Sequence, residues 1–420
     1  MKEKLYEIIE RDKEELFDLL GNLIRINSEN FGDYGTDIEC AAYIQKYCQE
    51  LGYTAEVYSP LELPGFTDHP DYLEGRKLED RRNCTMTVPG AKHDKKLMLA
   101  AHLDTVEIGD VSKWEFDPLS GEHVDGKILG RGACDDKYGI ATALFLAKKL
   151  KELGVQLNYD LVFTAYCDEE YGGSNGALAA ALKTPCDDCV NLDAGAYDIC
   201  NAGVGGGELI FSVSSKEPVD TCEHVLKALR VVEKHLEGFI NNRRSELQIN
   251  PVFGGTIVAR NAYRIMSYSV GSKGGVNMDT GAFKVTYYTD KEREQIQAEL
   301  DAAKAAADAE LETMGMNPLE IIKATRFFHY VQTPKENPVI DYLQQAGLEQ
   351  GKKLEATGIC LSDYPMFALY GSPRSICFGL GRDFDAPGGA HQTNEFVESD
   401  EFVKFTKIVA GFLLNYNENA

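Results

Sequence analysis

Three His-x-Asp pairs occur in the chain: His69 with Asp71, His102 with Asp104, and His123 with Asp125. With 8 His and 67 acidic residues among 420 positions, about one such pair arises by chance. Context separates them. Only His102 follows a continuous apolar run, LMLAA, the pattern of a strand covered on both faces. Such a strand delivers HLDTV to the carboxyl end of a sheet, where open α/β sheets place their ligands. His69 and His123 lie in Pro- and Gly-containing sequence and read as solvated loop residues.

Acidic residues recur at similar places. GRGACDDKYG sets Asp135 and Asp136 in a turn that opens the helix IATALFLAKKL. Taken alone these carboxylates read as helix caps, because the helix dipole favours negative charge there. YDLVFTAYCDEEYGGSNG puts Asp168, Glu169 and Glu170 directly after another buried strand, where three acids repel one another unless a cation or solvent intervenes. Asp193 ends the strand CVNLDAG, and His391 follows the Gly-rich stretch APGGA. Two Zn²⁺ ions would balance Asp135, Glu170, Asp193 and one hydroxide, with His102 and His391 neutral. Nitrogen and oxygen donors suit zinc, with cobalt or manganese as substitutes.

The elements that must position these groups read as an α/β fold. Residues 1–27 and 36–52 have helical periodicity, and short β-branched runs then alternate with helices as in βαβ units on a mostly parallel sheet with helices on both faces. Near Ala202 the texture changes to two strands, ELIFSVS and 281–289, with helical runs at 220–240 and 291–315, an inserted α+β domain. From Asn337 the first texture resumes. The expected organisation is a catalytic domain of residues 1–206 and 333–420, interrupted by an insert at 207–332.

Composition bounds the partners. A chain of 420 residues exceeds what one hydrophobic core usually organises. A net charge of −24 repels phosphate backbones and anionic lipid, so neither nucleic acid nor a membrane is an expected partner. No apolar stretch is long enough to span a bilayer. The start, MKEKLYEIIERDKEELFDLL, reads as an amphipathic helix and not as a signal peptide, and eleven cysteines are too sparse for a disulfide scaffold. The expected location is the cytoplasm, with the protein beginning at Met1.

HLDTV, GRGACDDKYG, the acids at 168–170, NLDAG, SDYPMF at 362–367 and GLGRDFDAPGGAHQTNEF, in that order, resemble the motifs of a dinuclear zinc peptidase family. That family includes aminoacylase, peptidase T, succinyl-diaminopimelate desuccinylase, glutamate carboxypeptidase and the carnosine dipeptidases. The resemblance implies hydrolysis of an amide bond in a small peptide or N-acyl amino acid by a hydroxide between two zinc ions. It implies His102 and Asp193 on one zinc, Glu170 and His391 on the other, and Asp135 bridging. Asp104 would orient His102, Glu169 would be the general base, and a cis peptide would accompany Asp136. The insert would act as a lid and a homodimer contact.

Two features depart from the family pattern. No His occupies the turn after the first insert strand, SSKEPVDTC, where the family usually places an oxyanion donor; His224 and His235 read as surface residues of the helix beyond. The usual substrate-carboxylate Arg has no clear match, and Arg260 or Arg264 could substitute because guanidinium grips carboxylate bidentately. Gly388 and Gly389 would let the backbone approach a ligand closely. The rival classes are a non-catalytic metal- or peptide-binding protein that keeps the cage, and a redox enzyme using Cys186-x-x-Cys189.

Overall fold

A computed structural model describes residues 1–271 and 278–420. The strands used below are β1 (Thr54–Tyr58), β2 (Asn83–Val88), β3 (Lys96–His102), β4 (Asp160–Tyr166), β5 (Asp188–Ala196), β6 (Ile199–Gly203), β7 (Gly205–Ser214), β8 (Tyr263–Val270), β9 (Thr280–Thr289), β10 (Glu320–Lys323) and β11 (Ile376–Gly379). The chain forms two compact units, one of residues 1–201, 332–359 and 363–420, the other of residues 202–331 and 360–362.

The first unit is built on a sheet whose order includes β1-β2-β4-β3-β5-β11-β6. Its centre, β4-β3-β5-β11, is parallel, and β1, β2 and β6 join antiparallel at the flanks. The apolar run in β3 has a plain cause. Leu97, Leu99 and Ala101 enter a core shared with helices Lys2–Arg11, Lys13–Arg25, Ile38–Glu50, Lys137–Glu152 and Ser399–Asn419, while Met98 and Ala100 enter a second core with helix Asn175–Lys183. Successive side chains point to opposite faces, so a strand with two covered faces must be apolar throughout. Because β3, β4 and β5 run parallel, their carboxyl ends share one edge of the sheet.

The second unit is a four-stranded antiparallel sheet, β8-β9-β7-β10. Along β7 buried and half-buried residues alternate, and Leu209, Phe211 and Val213 pack on Val225, Leu229 and Val232 of helix Glu223–His235 and on Ile296 and Leu300 of helix Arg293–Thr313. The sequence reading of two strands and two helices is too sparse here. The run 220–240 divides at Leu236 into Glu223–His235 and Glu237–Ile249. The strands β8 and β10 border the sheet, and much of their surface stays exposed, so they lack the apolar signature that marks a covered strand. No helix among the described residues is long and apolar enough to cross a membrane.

Candidate metal centre

The parallel register sets His102, the last residue of β3, beside Tyr166, the last of β4. Two residues beyond Tyr166 the chain turns through Asp168, at φ 59°, into Glu169 and Glu170. β5 brings Asp193 to the same edge. Asp135 arrives in the turn before helix Lys137–Glu152, its peptide bond to Asp136 being cis, and His391 arrives in the loop after β11, at φ 63°.

Asp135 is the hub. Its Oδ1 lies 2.9 Å from His102 Nε2, and its Oδ2 lies 3.2 Å from His391 Nε2. His391 Nε2 is also 3.0 Å from Glu170 Oε2. Two atoms bound to one zinc at about 2.0–2.2 Å, with angles between octahedral and tetrahedral, lie about 2.9–3.5 Å apart, and the observed separations fall in that range. His102, Asp135 and Glu170 each offer a ligand atom within 4.8 Å of the other two. The arrangement, with one carboxylate oxygen turned toward each imidazole, suits a bridging carboxylate.

The electrostatics show what the cluster lacks. Burial pushes the Asp193 carboxyl up to about 7, against the pull of His102 and with the repulsion of Asp135 and Glu170. Burial alone would lower His391, yet Glu170 and Asp135 push it up to about 10. Glu169 is raised well above the usual carboxylate range, first by burial and then by Asp363. Among the described residues no Lys or Arg pairs with Asp135, Glu170 or Asp193. Carboxylates gathered without a protein cation are what a divalent ion neutralises. Glu169 makes no side-chain hydrogen bond or ion pair among the described residues, so its carboxylate is free to accept a proton.

Asp104 meets His102 through its backbone carbonyl. Its carboxylate stands 4.0 Å from His102 Nδ1, and the ring N–H donates instead to the Asp104 backbone carbonyl at 2.8 Å. The carboxylate accepts from the backbone N–H of Glu169 at 3.1 Å, the N–H of Glu170 at 3.2 Å and Asn30 Nδ2 at 2.8 Å. It therefore fixes the loop that carries the acids. Asn30 also reaches the Glu170 carbonyl, at 3.2 Å.

A second tie joins distant sequence. Buried Arg131 donates through Nη1 to Glu395 Oε2 at 2.7 Å and to the Gln392 carbonyl at 3.2 Å, while Glu395 Oε1 accepts from Cys134 N at 3.0 Å. This clasp secures the His391 loop against the Asp135 turn. Sequence reasoning missed Asn30, and gave no role to Arg131 and Glu395 although they lie within the GRGACDDKYG and GLGRDFDAPGGAHQTNEF motifs.

The remaining candidates have local explanations. A Cβ on Gly389 would stand 2.1 Å from the Asp383 carbonyl oxygen, and one on Gly388, at φ +67°, would stand 2.5 Å from the Phe396 ring. The loop's own closure thus requires both glycines. Both arginines belong to the second unit. Exposed Arg260 donates to the Gly255 carbonyl, and Arg264 donates to the Tyr288 hydroxyl at 2.6 Å. All eleven cysteines are free thiols. Burial pushes Cys134, Cys167 and Cys189 well up, which makes them poor thiolates.

The model for peptidase family M20/M25/M40 matches residues 98–415. An uncharacterized metallohydrolase of Methanocaldococcus jannaschii is 34% identical over 157 residues, 35% of this chain and 35% of that protein. A succinyl-diaminopimelate desuccinylase of Rhodospirillum centenum is 36% identical over 94 residues, 22% and 23% of the two chains. The chain thus spans about a third or less of these curated relatives. The solved structure of the di-peptidase Dug1p of Saccharomyces cerevisiae superposes with a TM-score of 0.75 at 14% identity, over 100% of this chain and 99% of that one, a likeness of fold.

Proposed function

The chain belongs to peptidase family M20/M25/M40, and from that premise we propose that it is a two-zinc hydrolase of the cytoplasm that cleaves an amide bond in a small peptide or N-acyl amino acid. The observation that carries this reading is the convergence of His102 and His391 on the two oxygens of Asp135, with Glu170 at His391 and an uncommitted Glu169 one residue away. In this reading His102 and Asp193 would hold one ion and Glu170 and His391 the other, with Asp135 shared between them, and cobalt or manganese would substitute. The ions supply Lewis acidity, bringing the pKa of water down to about 7 and polarising the scissile carbonyl.

The side chains do the rest. Glu169 takes a proton from the attacking water and passes it to the leaving nitrogen, which must be protonated before the amide can break. Asp104 keeps Glu169 in place through its backbone N–H. The reading includes a homodimer through the second unit, where β8 offers an open sheet edge with Ile265, Met266 and Tyr268 exposed.

A panel of dipeptides, tripeptides and N-acyl amino acids, assayed with zinc, cobalt or manganese, tests the proposal. Turnover with at least one class is expected, and Glu169→Gln should keep the metal while losing activity by about 10²–10⁴-fold. An undiminished rate in that variant would remove Glu169 from the mechanism. The absence of a His between Ser215 and Cys222 favours a second reading, a binding protein without catalysis. Ligand binding with no turnover across the panel would establish that alternative.

A further inference from the structure

Behind the loops that carry the acids lies a guanidinium that no motif marks. Arg81 is 1% exposed, and its Nε donates to Asp37 Oδ2. Its Nη2 is 3.3 Å from Asp104 Oδ2, and its Nη1 is 3.6 Å from Asp168 Oδ1. The guanidinium packs against Gly35, where a Cβ would stand 2.5 Å from its central carbon. Arg81 therefore faces the two carboxylates that flank the chemistry. Asp104 accepts the backbone N–H groups of Glu169 and Glu170, and Asp168 immediately precedes Glu169.

We propose that Arg81 is a positioning residue for the metal centre and its base, acting through Asp104 and Asp168 on the backbone of Glu169 and Glu170. This rests on the functional reading above. The Nε hydrogen bond to Asp37 anchors the guanidinium, and its Nη atoms meet Asp104 and Asp168 as ion-pair contacts, so a planar charge held in one place sets where those two carboxylates stand. Turning the Asp104 carboxylate by a fraction of an ångström moves the peptide planes of residues 169 and 170, and with them the Glu170 ligand and the Glu169 base. Groups that support metal ligands in this indirect way are worth about 10–100-fold in affinity or activity.

The test must separate positioning from simple charge compensation. Asp37 is the carboxylate that Arg81 hydrogen-bonds, its second donor being the Arg82 N–H at 3.3 Å, whereas Asp104 has three donors and Asp168 has Asn175 Nδ2 at 2.9 Å. Arg81→Met, Asp37→Asn and the double variant are compared with the wild-type full-length chain by zinc affinity against a chromogenic chelator, thermal midpoint, and kcat and KM. The expected result is a loss of about 10–100-fold in zinc affinity and in kcat for Arg81→Met, with KM within about threefold. The double variant, with net charge restored, should recover most of the thermal midpoint and neither of the other quantities. Wild-type zinc affinity in the double variant would overturn the proposal, as would a kinetic loss confined to KM. Should Arg81→Met fail to fold, the double variant carries the test alone. A wild-type chain that binds zinc and hydrolyses nothing would refute the functional reading, while zinc affinity would still decide the role of Arg81. A wild-type chain that binds no zinc would overturn both.

Discussion

Two buried acidic clusters sit near the same sheet edge and resolve their charge in opposite ways. Asp37, Asp104 and Asp168 surround Arg81, with Arg76 Nη1 3.8 Å from Asp168. Asp135, Glu170 and Asp193 have two histidines and no arginine or lysine among the described residues. The fold thus completes one cluster from its own side chains and leaves the other to a ligand. Burying a carboxylate without compensation is costly enough that an uncompensated set marks where a cation binds. The number of acids is the same in both, so it is the missing cation, and not the acids, that identifies the site.

The largest expected effect comes from removing a charge in the uncompensated cluster. Folding raises Asp193 from 3.8 to about 7, so its ionised form is disfavoured in the folded state. The sign follows: for an acid raised on folding, metal-free stability falls as pH rises from about 4 through about 7. Asp193→Asn should therefore raise the thermal midpoint of the metal-free protein at pH 8, while turnover with zinc falls by about 10²-fold or more. Asp104→Asn, in the compensated cluster, should lower the midpoint, because against burial Arg81, His102 and the Asn30 and Glu169 N–H donors hold its carboxyl below the usual carboxylate range. Equal and opposite behaviour of these two variants would sharpen the contrast, and a lower midpoint for both would break it.

Arg131 and Glu395 give an intermediate case, a compensated pair that serves the uncompensated cluster. Both side chains are buried, at 4% and 1% exposure, so Arg131→Met leaves a carboxylate stranded and should cost about 3 kcal/mol in denaturant unfolding. Arg131→Met with Glu395→Gln should regain most of that stability. Zinc affinity should stay reduced in the double variant, since the His391 loop then lacks its tie to the Asp135 turn. Full recovery of zinc affinity would show that the clasp compensates charge and nothing more.

How far each cluster could be read in the sequence follows from where its residues lie. His102 and Glu170 follow strands covered on both faces, and LMLAAH and DLVFTAY advertise those strands through unbroken apolar runs. Asp135, which taken alone reads as a helix cap, and His391 entered the candidate site only through the resemblance of their motifs. Arg81 was not legible, because GRKLEDRRN has no periodicity and nothing local distinguishes Arg81 from Arg82. Tertiary packing alone buries the first and leaves the second half-exposed. Which atom of Asp104 receives His102 was illegible for a related reason: whether a histidine N–H meets a carboxylate or the backbone carbonyl of the same residue depends on the turn, which residue types do not specify. Strands β8 and β10 escaped because edge strands need no continuous apolar run.

The smallest expected effect is a count of protons. Without metal, Glu170 and Asp135 hold His391 at about 10, so near pH 7.5 its imidazole carries a proton that zinc must displace. The linkage sign is that of a base raised on folding. The contribution of this group to metal-free stability is complete below about 6.5 and disappears as pH rises through about 10. Zinc binding at pH 7.5 should release on the order of one proton per chain or more, read as a dependence of the calorimetric enthalpy on the ionisation heat of the buffer. The Arg81 cluster binds no metal and should contribute nothing to that count, so Asp37→Asn should leave it unchanged while His391→Ala lowers it. Zinc binding with no buffer dependence would mean that the histidines stand neutral before the ion arrives, and that the fold tolerates the bare acids by means other than protonation.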